Sequence, residues 1–209
     1  MAEVISQPVG HQHGHDHAHG HVDQESLKIL GFWIFLVTDC LLFGTLFATF
    51  IVLRTHTDGG PTGKEIFDIP TFIAETFILL TSSFTSGLAT LEMRKNNGSV
   101  QRLIGWLIVT WILGAAFVGL EIKEFTHLAL DGATISRSAF LSGFFTLVGT
   151  HGLHVSVGLI WMLALMIQVG RYGFTAVTKR KIYIVGLYWH FLDAVWIFLF
   201  TVVYLIGVM

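Results

Sequence analysis

Charge is what this chain has least of. Charged residues make up 12% of its 209 positions, while 53% are apolar. A soluble domain carries about 25% charged residues, so a water-exposed globule is excluded and a multi-span membrane protein is the expected class. The formal net charge of −2 gives no basic surface for nucleic acid. Cysteine is nearly absent as well. Cys40 stands alone inside an apolar run, which excludes an intrachain disulfide and leaves the redox compartment unmarked. No basic segment followed by a cleavage site precedes the apolar stretches, so no removable signal peptide is expected and the first span directs insertion. The two halves of the chain show no internal similarity.

What is present is length in apolar runs. Crossing ~30 Å of hydrocarbon takes about 20 apolar residues. Five stretches qualify, at roughly 29–53, 70–93, 103–122, 140–169 and 182–208. The fourth exceeds the need and is expected to tilt or to run past the bilayer. The fold class is therefore all-α, a polytopic bundle of five transmembrane helices over residues 29–209. Residues 1–28 read as a disordered tail, with His11, His13, His15, His17, His19 and His21 alternating with small and polar residues. Such tracts can bind metal, and these six are the chain's weak metal candidates.

Lys and Arg set the orientation. With the N-terminus in the cytoplasm, inner segments hold eight: Lys28, Arg94, Lys95, Arg102, Arg171, Lys179, Arg180 and Lys181. Outer loops then hold four: Arg54, Lys64, Lys123 and Arg137. The N-terminus is expected in the cytoplasm and the C-terminus at the outer face. The first outer loop, Asp58-Gly59-Gly60-Pro61-Thr62-Gly63-Lys64-Glu65, superficially resembles a phosphate-binding loop. That pattern needs Gly at 58 and Ser or Thr at 65, so the segment is a turn-rich connector, with Pro70 suited to the next helix start.

The chemistry-bearing residues lie inside the spans. An ionisable group at a helix centre costs roughly 3 kcal/mol or more, so it usually faces protein or water. His190 and Asp193 stand one turn apart in Tyr188-Trp189-His190-Phe191-Leu192-Asp193-Ala194-Val195-Trp196 and share a helix face. Asp39 sits near the middle of span one. Glu75, Leu79, Ser82 and Ser86 form one stripe on span two. Glu121 is expected to turn inward at the end of span three, and Glu124 to be solvated. His151 and His154 share a face of span four. Gly44 with Ala48, and Ala115 with Gly119, have the small-residue spacing that lets helices approach closely.

Three function classes compete for these residues. A haem–copper centre needs several imidazoles converging from different helices, and the spans offer only His151, His154 and His190, with His56 and His127 in outer loops. A single haem between His190 and one of the other two is arithmetically possible. A metal- or proton-coupled transporter would use the His-rich tail and the membrane acids, but five spans do not divide into two repeats. A serine hydrolase is poorly supported, because Ser82, Ser83 and Ser86 have no base nearby in sequence. The remaining reading is a helical subunit whose buried polar groups tie spans together and meet lipid or a partner.

Four ordered stretches then carry a resemblance. They are Thr38-Asp39-Cys40-Leu41-Leu42-Phe43, Gly119-Leu120-Glu121-Ile122-Lys123-Glu124, Thr150-His151-Gly152-Leu153-His154-Val155 and the Tyr188–Trp196 stretch quoted above. Together they resemble subunit III of haem-copper terminal oxidases and cover nearly everything after residue 28. The five-span length, Gly31-Phe32-Trp33-Ile34, Gly60-Pro61-Thr62-Gly63-Lys64 and the His-rich tail are most similar to the short subunit III of bacterial cytochrome o ubiquinol oxidases.

The resemblance implies a non-catalytic accessory subunit of a proton-pumping ubiquinol oxidase in the bacterial inner membrane. Its partners would be oxidase subunits I, II and IV and phospholipid. Haem, copper and ubiquinol would belong to subunit I, which this chain would stabilise. The alternatives are subunit III of a cytochrome c oxidase, or the small transporter. Asp39 departs from the membrane glutamate of cytochrome c oxidase relatives by one methylene. A proton on its carboxyl, or a hydrogen bond to a span-four group such as His154, would offset its burial. Asp39, Glu75, Glu121, His151, His154, His190 and Asp193 are the expected polar set for interhelical, lipid or subunit contact, with no catalytic or cofactor-binding residue in this chain.

Overall fold

The structure is a computed structural model that describes residues 19–56, 69–95 and 98–205. The His-rich positions His11, His13, His15 and His17 and the connector 58–65 lie outside the described residues. Five long helices are present among the described residues: α1 His19–Leu53, α2 Ile69–Arg94, α3 Val100–Leu130, α4 Ala139–Tyr172 and α5 Ala176–Leu199. A π-helical turn, Phe200–Leu205, extends α5. All five are long and apolar enough to cross a membrane. Inside a bilayer every backbone N–H and C=O must be satisfied within the chain, and helices do this segment by segment.

The helices are longer than the apolar runs. α1 begins at His19, so helix reaches back into the polar segment. α3 continues to Leu130, which places His127 on the helix rather than in a loop, where the sequence had put it. There its ring lies 3.0 Å from Asp131 on the exposed last turn. Polar residues continue a helix beyond an apolar run because hydrophobicity marks the membrane boundary, while hydrogen bonding and propensity set the helix end.

The ends carry recognisable stops. Ser138 Oγ accepts from Leu141 N at 3.2 Å to start α4. Thr175 and Thr178 bond each other's backbone N–H reciprocally to start α5. Gly173 closes α4 with φ +64°, a backbone conformation that side chains with a Cβ disfavour.

The chain divides into two units, Met1–Phe35 and Leu36–Met209. In the first, the rings of Phe32 and Phe35 pack at 5.9 Å, and Leu27, Leu30, Trp33 and Ile34 expose apolar surface. In the second, α2 packs on α3, α3 on α4, α4 on α5 and α5 back on α2, closing a ring of four helices. The part of α1 in this unit lies along α4. Phe50 stacks at 5.9 Å on Phe140 and touches Gly143, while Phe140 N donates to His56 O at 3.2 Å. Phe43, Phe117, Phe144, Trp189 and Trp196 are all almost fully buried. Large rigid rings in the centre need small residues opposite them, and glycines supply these. A Cβ on Gly114 of α3 would stand 2.6 Å from the Trp189 indole.

Candidate functional site

Hydrogen bonds between helices form two polar layers in the ring. In one, Trp189 Nε1 donates to Ser82 Oγ at 3.1 Å, linking α5 to α2. Thr85 and Thr110 hydroxyls meet at 2.8 Å between α2 and α3. Trp111 Nε1 donates to Leu159 O at 3.1 Å, and Tyr188 OH to His154 O at 3.1 Å. In the other layer, Trp196 Nε1 donates to Thr76 Oγ1 at 3.1 Å and stacks edge-on against Phe117 at 4.7 Å. Both layers combine a bulky donor on one helix with a short hydroxyl or carbonyl on its neighbour. That pairing buries the ring and satisfies its polar edge together.

His151 is fully buried in the second layer, among Phe43, Phe117 and Trp196. Its Nε2 lies 3.3 Å from Leu192 O of α5. A carbonyl only accepts, so Nε2 carries a proton and donates it. Next in sequence, Gly152 lets the Glu121 carboxyl of α3 press against the α4 backbone, with Oε1 only 2.7 Å from where a Cβ would stand. Glu75 and Glu124 are acidic neighbours of Glu121. Glu121 and Glu75 are buried, at 6% and 1% exposure, so Glu121 does turn inward. Glu124 departs from the solvated helix end expected of it and is half-buried. Its side chain lies along the same packed face as Glu121, one turn away.

On the α1 side, Asp39 is buried with Oδ1 3.8 Å from His154 Nε2. His154 Nδ1 lies 2.7 Å from Thr150 O one turn earlier and must donate there. A neutral His154 therefore turns an unprotonated Nε2 toward Asp39. The gap exceeds hydrogen-bond length, so the shorter aspartate side chain faces its partner without a direct bond. Phe43 covers the pair, its ring 5.2 Å from His154.

His190 and Asp193 do not share one environment. Asp193 is buried, whereas 44% of the His190 side chain is exposed. His190 Nδ1 meets Ser83 Oγ of α2 at 2.7 Å and stands 4.0 Å from Asp193 Oδ2. Serine, histidine and aspartate thus come together, but serine and aspartate face the same ring nitrogen. A hydrolase triad needs them on opposite nitrogens, with one relaying a proton to the other, so nucleophilic catalysis has no geometry here. The helical face shared in sequence splits because α2 covers Asp193 and leaves the imidazole edge outside.

The three histidines of the haem reading meet different neighbours. His151 points at the Leu192 carbonyl inside the ring, His154 at Thr150 and Asp39, and His190 at Ser83 on the outside. Among the described residues no three His, Cys, Asp or Glu side chains are grouped to hold a metal ion.

Several carriers of these layers were not singled out by sequence. Thr76, Thr85, Thr110 and Trp111 become visible only with a partner from another helix, and Ser83, set aside for want of a base nearby in sequence, meets His190 across the bundle. Conversely, Gly44, Ala48 and Gly119 are exposed. A small-residue spacing shows where close approach is possible, not which helix arrives. The predicted stripe of Glu75, Leu79, Ser82 and Ser86 is buried throughout. At the far end of α2, buried Glu92 pairs with Lys95 at 2.8 Å and Arg102 at 3.3 Å and accepts from Ser99 N, stapling the turn into α3.

Known proteins are similar to this chain in sequence along nearly its whole length. The chain is 55% identical over 199 residues to the cytochrome bo(3) ubiquinol oxidase subunit 3 of Pseudomonas aeruginosa, covering 95% of this chain and 92% of that one. It is 54% identical to the quinol oxidase subunit 3 of Bacillus subtilis, covering 87% and 88%. It is 47% identical to the cytochrome c oxidase subunit 3 of Bacillus sp. strain PS3, covering 86% of each. Residues 8–208 match the family described as cytochrome c oxidase subunit III. With five helices long and apolar enough to cross a membrane among its described residues, and with that match over residues 8–208, the chain belongs to the cytochrome c oxidase subunit III family.

Proposed function

We propose that this chain is the accessory third subunit of a bacterial quinol oxidase, in which it holds no redox centre and steadies the subunit that does. The observation that carries this reading is how the in-span histidines are used. Each meets a backbone carbonyl or hydroxyl of the bundle through one ring nitrogen: His151 that of Leu192, His154 that of Thr150 and His190 the Ser83 hydroxyl. Haem, copper and ubiquinol then belong to subunit I, with subunits II and IV completing the complex. The cytochrome c oxidase reading is the second choice, favoured by the 47% identity to the Bacillus sp. protein. The greater identity to two quinol oxidase subunits places it second.

In this reading the bundle lies in the inner membrane with the N-terminus cytoplasmic, the C-terminus periplasmic and the His-rich segment as a cytoplasmic tail. A phospholipid headgroup sits at the cytoplasmic end of the α2–α3 face, where a groove of about 420 Å³ is lined by Leu88, Leu91, Glu92, Arg94, Lys95 and Trp106, with Glu92 already paired to Lys95. Basic groups above an apolar wall and an interfacial tryptophan suit an anionic headgroup with its acyl chain below. The polar set Asp39, Glu75, Glu121, His151, His154, His190 and Asp193 serves helix, lipid and subunit contact.

Purification through a tag on this chain in mild detergent tests the reading. Haem- and copper-bearing partners with quinol oxidase activity are expected, and Asp193→Ala is expected to shorten activity during prolonged turnover while the initial rate persists. A haem-free chain recovered alone, or immediate loss of oxygen reduction in an intact Asp193→Ala complex, would overturn it.

A further inference from the structure

Outside the ring, α2 and α5 flank a second groove, of about 400 Å³, that ends at His190. Its floor is small: Gly87, Thr90 and Gly186, with open space above Gly87. Phe84 and Leu187 form its walls, and Arg94 lies at its cytoplasmic end. His190 lies level with Ser83, eleven residues from Arg94 along α2, or about 16 Å at 1.5 Å per residue. Half of a ~30 Å hydrocarbon layer is about 15 Å, so the imidazole sits near mid-membrane.

The position matters because only one side of the ring is satisfied. Nδ1 meets Ser83, while among the described residues Nε2 has no hydrogen-bond partner and the side chain is 44% exposed. At that depth the surrounding acyl chains have no hydrogen bond to offer. A glycine-floored groove admits a helix backbone closely, and a polar side chain on that helix can complete the imidazole.

We propose that the α2–α5 groove seats a transmembrane helix of a partner oxidase subunit, which places a hydroxyl, amide or carboxyl side chain against His190 Nε2. If Ser83 donates to Nδ1, Nε2–H donates to the partner; with the other tautomer it accepts. The proposal rests on the accessory-subunit reading for the existence of a partner, and on the groove for where that partner lies.

The test uses the whole oxidase in native membranes, with a benzophenone amino acid replacing Leu187 in the groove wall. Illumination is expected to yield a product containing peptides of a second oxidase subunit. Lipid adducts alone at Leu187, in a complex that still purifies with its partners, would overturn the groove assignment and leave the accessory reading standing. Recovery of the chain without any partner would instead defeat both.

Two substitutions separate the partner bond from local packing. His190→Gln keeps a polar atom at the reach of Nε2, whereas His190→Asn keeps one only near Nδ1 and Ser83. Interhelical hydrogen bonds in membranes correspond to roughly 3- to 20-fold in association. Partner retention in mild detergent is therefore expected within about twofold of the parent for His190→Gln and about 3- to 20-fold lower for His190→Asn. Equal retention by the two variants would refute the bond to Nε2.

Discussion

Gly114→Ala offers the sharpest test of how the bundle is held, because one added methyl involves four helices. Its Cβ would stand 2.6 and 2.8 Å from the six-membered ring of Trp189 on α5 and 2.9 Å from Leu159 Cδ2 on α4. Ordinary contact begins at 3.4 Å, so the indole must retreat by about 0.8 Å. It has little room to do so, being 1% exposed and bonded through Nε1 to Ser82 on α2. Overpacking a core costs about 1–3 kcal/mol. A stretched interhelical hydrogen bond in a membrane adds roughly 0.6 kcal/mol, and up to about 1.7. The expected destabilisation is therefore about 2–4 kcal/mol. Detergent denaturation of the purified complex, followed by retention of this chain, measures it.

Trp189→Phe supplies the control, since it removes the ring that clashes and also the bond to Ser82. By itself it is expected to cost about 1–3 kcal/mol through the cavity and the lost bond. In the double variant the methyl occupies part of that cavity. The sum of the two single effects should then exceed the double effect by about 1 kcal/mol or more. Loss of less than about 0.5 kcal/mol for Gly114→Ala, or strict additivity in the pair, would refute the close approach of α3 to Trp189.

The same arguments give further outcomes. Thr76→Val removes the acceptor of Trp196 Nε1 at nearly constant volume and is expected to destabilise by roughly 1 kcal/mol, with a shift in the indole N–H band by resonance Raman; an unchanged band would count against the bond. Two opposite charges buried 3.8 Å apart without a direct hydrogen bond cost more than a neutral pair, so the proton between His154 and Asp39 is expected on the carboxyl. Infrared spectra should show a protonated-carboxyl band that Asp39→Asn abolishes, and a carboxylate band alone would contradict this. Glu92→Ala releases Lys95, Arg102 and Ser99 N from one buried carboxyl. Faster proteolysis between α2 and α3 is expected, and an unchanged cleavage rate would show that the staple does not hold the turn.

The sequence by itself determined the class, the five spans and the family, because each rests on local pattern. Apolar length is a property of a run, and ordered motifs such as Thr150–Val155 and Tyr188–Trp196 need no neighbours to be read. It also picked out the residues that burial would make costly, since a carboxyl or imidazole in an apolar span is conspicuous wherever it points. Only the tertiary structure decided which way each one faces. Periodicity put His190 and Asp193 on one face, yet α2 buries the aspartate and leaves the imidazole edge outside. Serine, threonine and glycine are unremarkable along a span. Ser83, Thr76 and Gly114 gain their roles from a histidine or tryptophan on α5, 107, 120 and 75 positions away. In a membrane the apolar faces all look alike to lipid. Which helices meet is decided by where a ring finds a glycine and its N–H finds a hydroxyl, and that pairing exists only in three dimensions.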